Sequence, residues 1–330
     1  MKPKNLIVFD MDGVIIDVSN SYREVVRQTT KQFFSPAAAA KPLPEPLFEL
    51  SDLAVVKQSG GLNNDWDLTF AVINLLFTLV DALKAHESRD PWVRYRQTMG
   101  QCNLNRLGEF LASTDNPLRS LLNQWGKQKH PFISGLYRGD VGSGNIIKQI
   151  FQEIYLGPAL FKSTYLMDPE IYRGDGYIQR EKLLIDRSIL AELTKENILA
   201  IATGRPGSEA EYALKQFQIE PFFPLVLTLD DCVREEKRIL AEEARVVSLS
   251  KPDPFMLDAI AEGYRNAVSG FFYIGDMPDD MLAAARSWFD FQSIGILISA
   301  PDKSSLKKNL QRAGADYIVE DLKSLKNIIL

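Results

Sequence analysis

The stretch Asn5-Leu6-Ile7-Val8-Phe9-Asp10-Met11-Asp12-Gly13 (residues 5–13) decides how this chain is read. Its apolar run of four residues, bounded by polar ones, has the pattern of a strand buried on both faces, as in a parallel sheet covered by helices. The run ends in two acids spaced two apart, so in extended geometry Asp10 and Asp12 leave the chain on the same side. Gly13 then permits a sharp turn. Ligands of open α/β sheets sit beyond the carboxyl ends of the strands, and a pair of acids there suits a metal or acid/base site. Ordinary loop acids satisfy these nine residues equally well, so the rest of the chain has to decide.

Length and composition narrow the field. The chain has 330 residues, enough for two domains, with 45% hydrophobic and 25% charged residues, which fits a globular protein. A net charge of −5 argues against nucleic acid or an anionic membrane as the main partner. The two cysteines, Cys102 and Cys232, are far apart and form neither a disulfide framework nor a cysteine metal site. A reducing, cytoplasmic setting is expected. The amino-terminal apolar run is too short for a signal-peptide core. The longest apolar segment, 70–83, is interrupted by Asn74, Thr78 and Asp81 at helical spacing, so it reads as a buried helix and no membrane segment is expected.

Past Gly13 the pattern predicts a helix over 21–34, then a Pro/Ala-rich connector over 35–50 in which Pro36, Pro42, Pro44 and Pro46 forbid a regular element. Residues 51–172 read as helical, with helices near 66–87, 102–113, 116–127 and 143–156. The glycine run at 138–145 follows no strand and reads as a turn ending in a helix cap. His86 and His130 have no partners at ligand spacing and read as structural. From residue 178 strands and helices alternate. Helices are predicted at 181–195, 208–217, 254–263, 278–286 and 304–313, and strands at 198–203, 224–229, 271–276, 293–298 and 316–319. This alternation is that of a doubly wound, Rossmann-like α/β parallel sheet. The opening strand has no partner in the helical block and most economically joins the later strands. The expected organisation is therefore a core of 1–16 and 180–330, with an inserted, mainly α-helical domain over 17–179.

Three later strand ends carry notable residues: Thr203-Gly204-Arg205; Lys251, followed by Asp253 as a helix cap and Pro254 as the first helical residue; and Asp276 with Pro278, Asp279 and Asp280. One sheet edge thus collects Asp10, Asp12, Asp276 and Asp280 together with Thr203 and Lys251. Four ionised carboxylates do not sit together without a cation, and oxygen donors without His or Cys select a hard divalent ion such as Mg²⁺. A lysine, a threonine hydroxyl and helix amino ends bind a phosphate dianion. Both halves fit one phosphoryl group.

The ordered set IVFDMDGV, AIATG, KPDP and GDMPDDMLAA resembles the four signature motifs of the haloacid dehalogenase superfamily of phosphohydrolases. The insertion is similar to the helical cap (C1 type) of its subfamily IA, the phosphoglycolate phosphatase-like branch, but much longer. The resemblance covers residues 4–18 and about 178–330. It implies that Asp10 is the nucleophile, forming an aspartyl phosphate, and a metal ligand. It implies that Asp12 is the general acid/base and binds the metal through its backbone carbonyl. Thr203, Gly204 and Lys251 hold the phosphoryl oxygens, and Asp276 binds Mg²⁺. Asp280 supports the metal's water shell or orients Lys251. An acid at position 12 favours phosphate chemistry over carbon–halogen cleavage.

The expected activity is a Mg²⁺-dependent phosphatase for a small phosphorylated metabolite, with the cap enclosing the substrate. A phosphomutase or phosphotransferase using the same intermediate is the first competitor, and a receiver-like phosphoswitch or binding module the second. Arg205 either reaches a substrate anion or faces solvent. In the loop 59–68, Asn63 and Asn64 are candidate specificity contacts. Against that reading, Asp65 would cap the following helix and Trp66 would pack in the insertion's own core. Asp230 and Asp231 read as helix-capping or surface acids.

Overall fold

The structure, a computed structural model, describes residues 4–37, 43–58, 64–81, 84–126, 129–300 and 302–329. The chain divides into two compact units, Met1–Val18 with Lys182–Leu330, and Ser19–Glu181.

In chain order the elements are β1 (Lys4–Phe9), β2 (Ile16–Asp17), α1 (Tyr22–Phe34), α2 (Leu50–Gln58), α3 (Asp65–Phe77), α4 (Pro91–Met99), α5 (Asn105–Ser113), α6 (Pro117–Trp125), α7 (Pro131–Gly135) and α8 (Ile146–Tyr165). They continue as β3 (Lys182–Leu183), α9 (Arg187–Glu196), β4 (Asn197–Ala202), α10 (Gly207–Gln216), β5 (Leu225–Leu227), α11 (Leu229–Glu243), α12 (Phe255–Tyr264) and β6 (Val268–Gly275). The last are α13 (Pro278–Arg286), β7 (Phe291–Ile296), α14 (Lys303–Arg312), β8 (Tyr317–Val319) and α15 (Lys326–Ile329).

The first unit is a six-stranded sheet in the order β5-β4-β1-β6-β7-β8, parallel throughout. β1 lies inside it, with Leu6 opposite Ile198 on one side and Phe271 on the other. Its alternating residues serve two cores. Leu6 and Val8 pack with Ala200, Tyr273, Met256 and Ile260, whereas Ile7 and Phe9 pack with Leu199, Ile201, Leu190 and Ala213. Helices α12 and α13 therefore cover one face, and α9 and α10 the other. All four β1 side chains are fully buried, each contributing about 1.5–3 kcal/mol of apolar transfer. That burial fixes the strand's register and with it the exit point of Asp10. The chain leaves β1 towards β4 and β5 on one side and returns to β6 on the other, so the crevice between the carboxyl ends of β1 and β6 is the switch point of the sheet.

In the second unit, α1 packs on α3 and α8. Phe33, Phe34, Val72, Leu76, Ile147 and Ile150 are among its buried residues, and Tyr22 stacks on Tyr155 at 4.5 Å between ring centres. Prolines open α4, α6 and α7, where a missing N–H costs nothing. The glycine run ends as expected, with Asn145 accepting a hydrogen bond from the Lys148 N–H as the cap of α8. His130 plays a structural part, its Nδ1 accepting from the Phe132 N–H at the start of α7.

Several expectations are corrected. The helix expected over 66–87 ends at Phe77, where the Thr78 hydroxyl donates to the Leu75 carbonyl. The helix expected to stop at 156 continues past a kink at Gly157 to Tyr165. Lys182 and Leu183 are not helical but pair antiparallel with Asp17 and Ile16, so α9 starts only at Arg187. A 15-residue helix, α11, went unpredicted. Among the described residues, no helix is long and apolar enough to cross a membrane.

Candidate active site

Asp10 follows β1 directly, its N–H donating to the Ile274 carbonyl at 2.8 Å, which ties the end of β1 to β6. Its side chain is almost buried. Lys251 Nζ lies 2.7 Å from Asp10 Oδ1 and 2.8 Å from Asp280 Oδ1, so one ammonium bridges the two carboxylates. Asp280 is consumed further. Its Oδ1 also accepts from the Tyr273 hydroxyl at 2.8 Å, and its Oδ2 accepts from the Met277 N–H at 2.9 Å, closing the first turn of α13. Asp280 is thus a fixed post that holds Lys251 against Asp10. Asp276 follows β6, and Ser299 Oγ, in the loop after β7, donates to its Oδ2 at 3.4 Å.

Oxygens of Asp10, Asp276 and Asp280 lie within 4.8 Å of one another. Three carboxylates against one lysine leave a surplus of negative charge, and the oxygen-only donor set fits a hard divalent cation. Burial, reinforced by Asp280 and Asp12, outweighs Lys251 and pushes the Asp10 carboxyl up to about 7. Desolvation works against the Lys251 charge, but Asp10 and Asp280 outweigh it and hold the ammonium protonated. A cation among these carboxylates would favour the ionised form of Asp10.

Two glycines allow this close approach. Gly13 has φ +74°, and a Cβ there would lie 2.1 Å from Asp276 Oδ2. A Cβ at Gly275 would lie 2.3 Å from the Asp280 Cβ. Any side chain at either position would displace a carboxylate of the cluster.

Thr203 is the residue after β4. It is fully buried, and its Oγ1 accepts from the Arg205 N–H at 3.2 Å, which leaves the hydroxyl proton to donate elsewhere. Gly204 is exposed at the turn. The Asp12 carboxylate stays out of the cluster of three. Its Oδ1 accepts from Arg205 Nε at 2.6 Å and lies 2.5 Å from Nη2. Arg205 therefore does not face solvent: it is only 1% exposed, and its Nε and Nη2 lie against Asp12.

In the second unit, Asn63 lies outside the described residues. Asn64, not Asp65, caps α3, with Oδ1 accepting from the Asp67 N–H at 2.8 Å and the amide donating to the Asp67 carboxylate at 2.9 Å. Trp66 is half-buried under Lys148, whose Nζ lies 4.1 Å from its ring centre. Asp230 accepts from the Gly207 N–H at the start of α10, and Asp231 closes a capping box with Thr228. Asp253 accepts from the Phe255 N–H, one residue later than Pro254 as first helical residue implied.

Residues 186–293 match the family model described as haloacid dehalogenase-like hydrolase. A curated relative from Phytophthora nicotianae, named imidazoleglycerol-phosphate dehydratase, is 22% identical over 287 residues. The match covers 86% of this chain but spans only 42% of that protein's length. An X-ray structure of a structural genomics target aligns over 99% of this chain and 98% of its own, with a TM-score of 0.63 and 22% identity. A phosphatase from Thermococcus thioreducens aligns over 93% and 99%, with a TM-score of 0.53 and 20% identity. At these identities the two structures establish a shared fold.

Proposed function

We propose that this chain, whose residues 186–293 match the haloacid dehalogenase-like hydrolase model, is a Mg²⁺-dependent phosphatase acting on a small phosphorylated metabolite. The observation that carries the reading is Lys251, held at 2.7 Å from Asp10 and 2.8 Å from Asp280 in a cluster with surplus negative charge. A lysine braced against a carboxylate nucleophile, beside a cation site, suits a phosphoryl group.

Lys251 Nζ, the Thr203 hydroxyl and the backbone N–H of Gly204 bind the phosphoryl oxygens. An Asp10 carboxylate oxygen attacks phosphorus, the bond to the ester oxygen breaks, and Asp12 gives a proton to that leaving oxygen. Asp12 then takes a proton from water, which attacks the aspartyl phosphate, releases phosphate and restores Asp10. Asp10 and Asp276, with the Asp12 carbonyl, would hold Mg²⁺, while Asp280 stays with Lys251. Bound there, the cation offsets the charge of the phosphoryl group against the carboxylates.

The test is phosphate release from a panel of phosphorylated metabolites with Mg²⁺. Phosphorylated imidazoles enter the panel because of the relative's name. Release from at least one ester, abolished by EDTA, is expected. Silence across the panel from folded, Mg²⁺-binding protein would overturn the reading, and an isomerised ester without free phosphate would replace it with a phosphotransferase.

A further inference from the structure

The geometry points to Arg205 as the residue that positions Asp12, an assignment that rests on the phosphatase reading above. Three anchors hold Arg205. Its N–H donates to Thr203 Oγ1 at 3.2 Å, its carbonyl accepts from the Leu229 N–H at 2.9 Å, and its guanidinium meets Asp12 Oδ1. The guanidinium is fully buried, whereas the Asp12 side chain keeps 32% of its surface exposed. The arginine is thus the rigid partner and the aspartate the accessible one.

Both contacts to Asp12 fall on a single oxygen, Oδ1. The charged pair engages Oδ1 and so leaves the opposite oxygen of this part-exposed carboxylate to meet a leaving oxygen or a water. The same residue orients the Thr203 hydroxyl through its backbone. One arginine therefore ties the strand end that carries the proton donor (β1) to the strand end that binds phosphate (β4), although Arg205 and Asp12 are 193 residues apart. A lysine has no Nε–H in this direction and would hold Asp12 less well.

The experiment measures Arg205→Gln and Arg205→Lys with Mg²⁺ on two esters, nitrophenyl phosphate and an alkyl phosphate such as glycerol phosphate. An alkoxide leaving group needs a proton and nitrophenolate hardly does, and general-acid help is worth about 10²–10⁴-fold. For Arg205→Gln, kcat on the alkyl ester is expected to fall about 100-fold, and on the nitrophenyl ester less than about 10-fold, with KM little changed. Arg205→Lys should give a smaller loss with the same ester pattern, and it carries the comparison if the glutamine variant does not fold. Combining Arg205→Gln with Asp12→Asn should add little to the loss from Asp12→Asn alone. Equal losses on both esters, or losses that multiply in the double variant, would overturn the positioning role while leaving the phosphatase reading intact. Wild-type silence on both esters would overturn that reading and this assignment with it.

Discussion

The two units bury carboxylates in opposite ways. In the helical unit, Glu153 is fully buried on α8, and its oxygens accept from the N–H groups of Glu170, Ile171 and Tyr172 at 2.8–3.1 Å and from the Gln149 amide at 3.1 Å. Glu181 accepts from the Ser21 and Tyr155 hydroxyls, and Asp52 from the Leu118 and Arg119 N–H groups at the start of α6. Backbone N–H groups, hydroxyls and a side-chain amide donate to these acids, with the Arg119 charge also acting on Asp52, and the acids tie segments together. In the core unit, Asp10, Asp276 and Asp280 converge on one another with a single lysine between two of them. The lesson concerns what an acid is buried against. Donors mark a structural acid, and other acids mark a site that takes a cation or a proton.

Breaking the core side should cost activity. Lys251→Ala removes the bridge between Asp10 and Asp280, and turnover at saturating substrate is expected to fall at least about 10³-fold. A loss below tenfold would make the bridge incidental. Breaking the helical side should cost stability instead. Glu153→Ala strands three backbone N–H groups and is expected to lower the urea-unfolding free energy by about 3 kcal/mol. An unchanged unfolding midpoint would mean that water replaces the carboxylate.

The cation argument has a pH signature. The raised Asp10 value means that, between the ordinary aspartate range and about 7, the metal-free folded state holds a proton that the unfolded state has lost. Asp10 therefore favours folding at low pH, and its contribution is lost as pH rises towards 7. In EDTA, Tm should fall from pH 5 to pH 8. At pH 8, Mg²⁺ at about 100 times its Kd should add about 2.7 kcal/mol, and at that same concentration the gain should shrink as pH falls because the proton competes with the ion. A Mg²⁺ shift independent of pH would separate the ion from Asp10. The smallest effect sharpens the helical side: Asn64→Ala removes the α3 cap and should cost about 1 kcal/mol in urea unfolding.

Much of the core was legible because each piece is local. The run Leu6-Ile7-Val8-Phe9 is apolar on both faces since it serves two cores, and Asp10 stands immediately at its end. Asp276 and Asp280 share one strand-to-helix turn. Arg205 was illegible because its partner, Asp12, is remote in sequence. Tyr273 reads as another core residue of a buried strand, and nothing local reveals that its hydroxyl reaches Asp280. Helix α11 leaves little apolar pattern in the sequence because its buried face is thin, with only Cys232 and Ile239 buried among charged neighbours. The start of α9 was misplaced because Lys182 and Leu183 are claimed by a strand pairing with residues near Gly13.

At the centre of the proposal stands Asp10 as the nucleophile that takes up the phosphoryl group. The most direct measurement is phosphate release from nitrophenyl phosphate with Mg²⁺ by the wild type and by Asp10→Asn, with circular dichroism to establish that both are folded. The account predicts steady release by the wild type and a loss of at least about 10⁴-fold in the variant. An Asp10→Asn protein that keeps a tenth or more of the wild-type rate would contradict it.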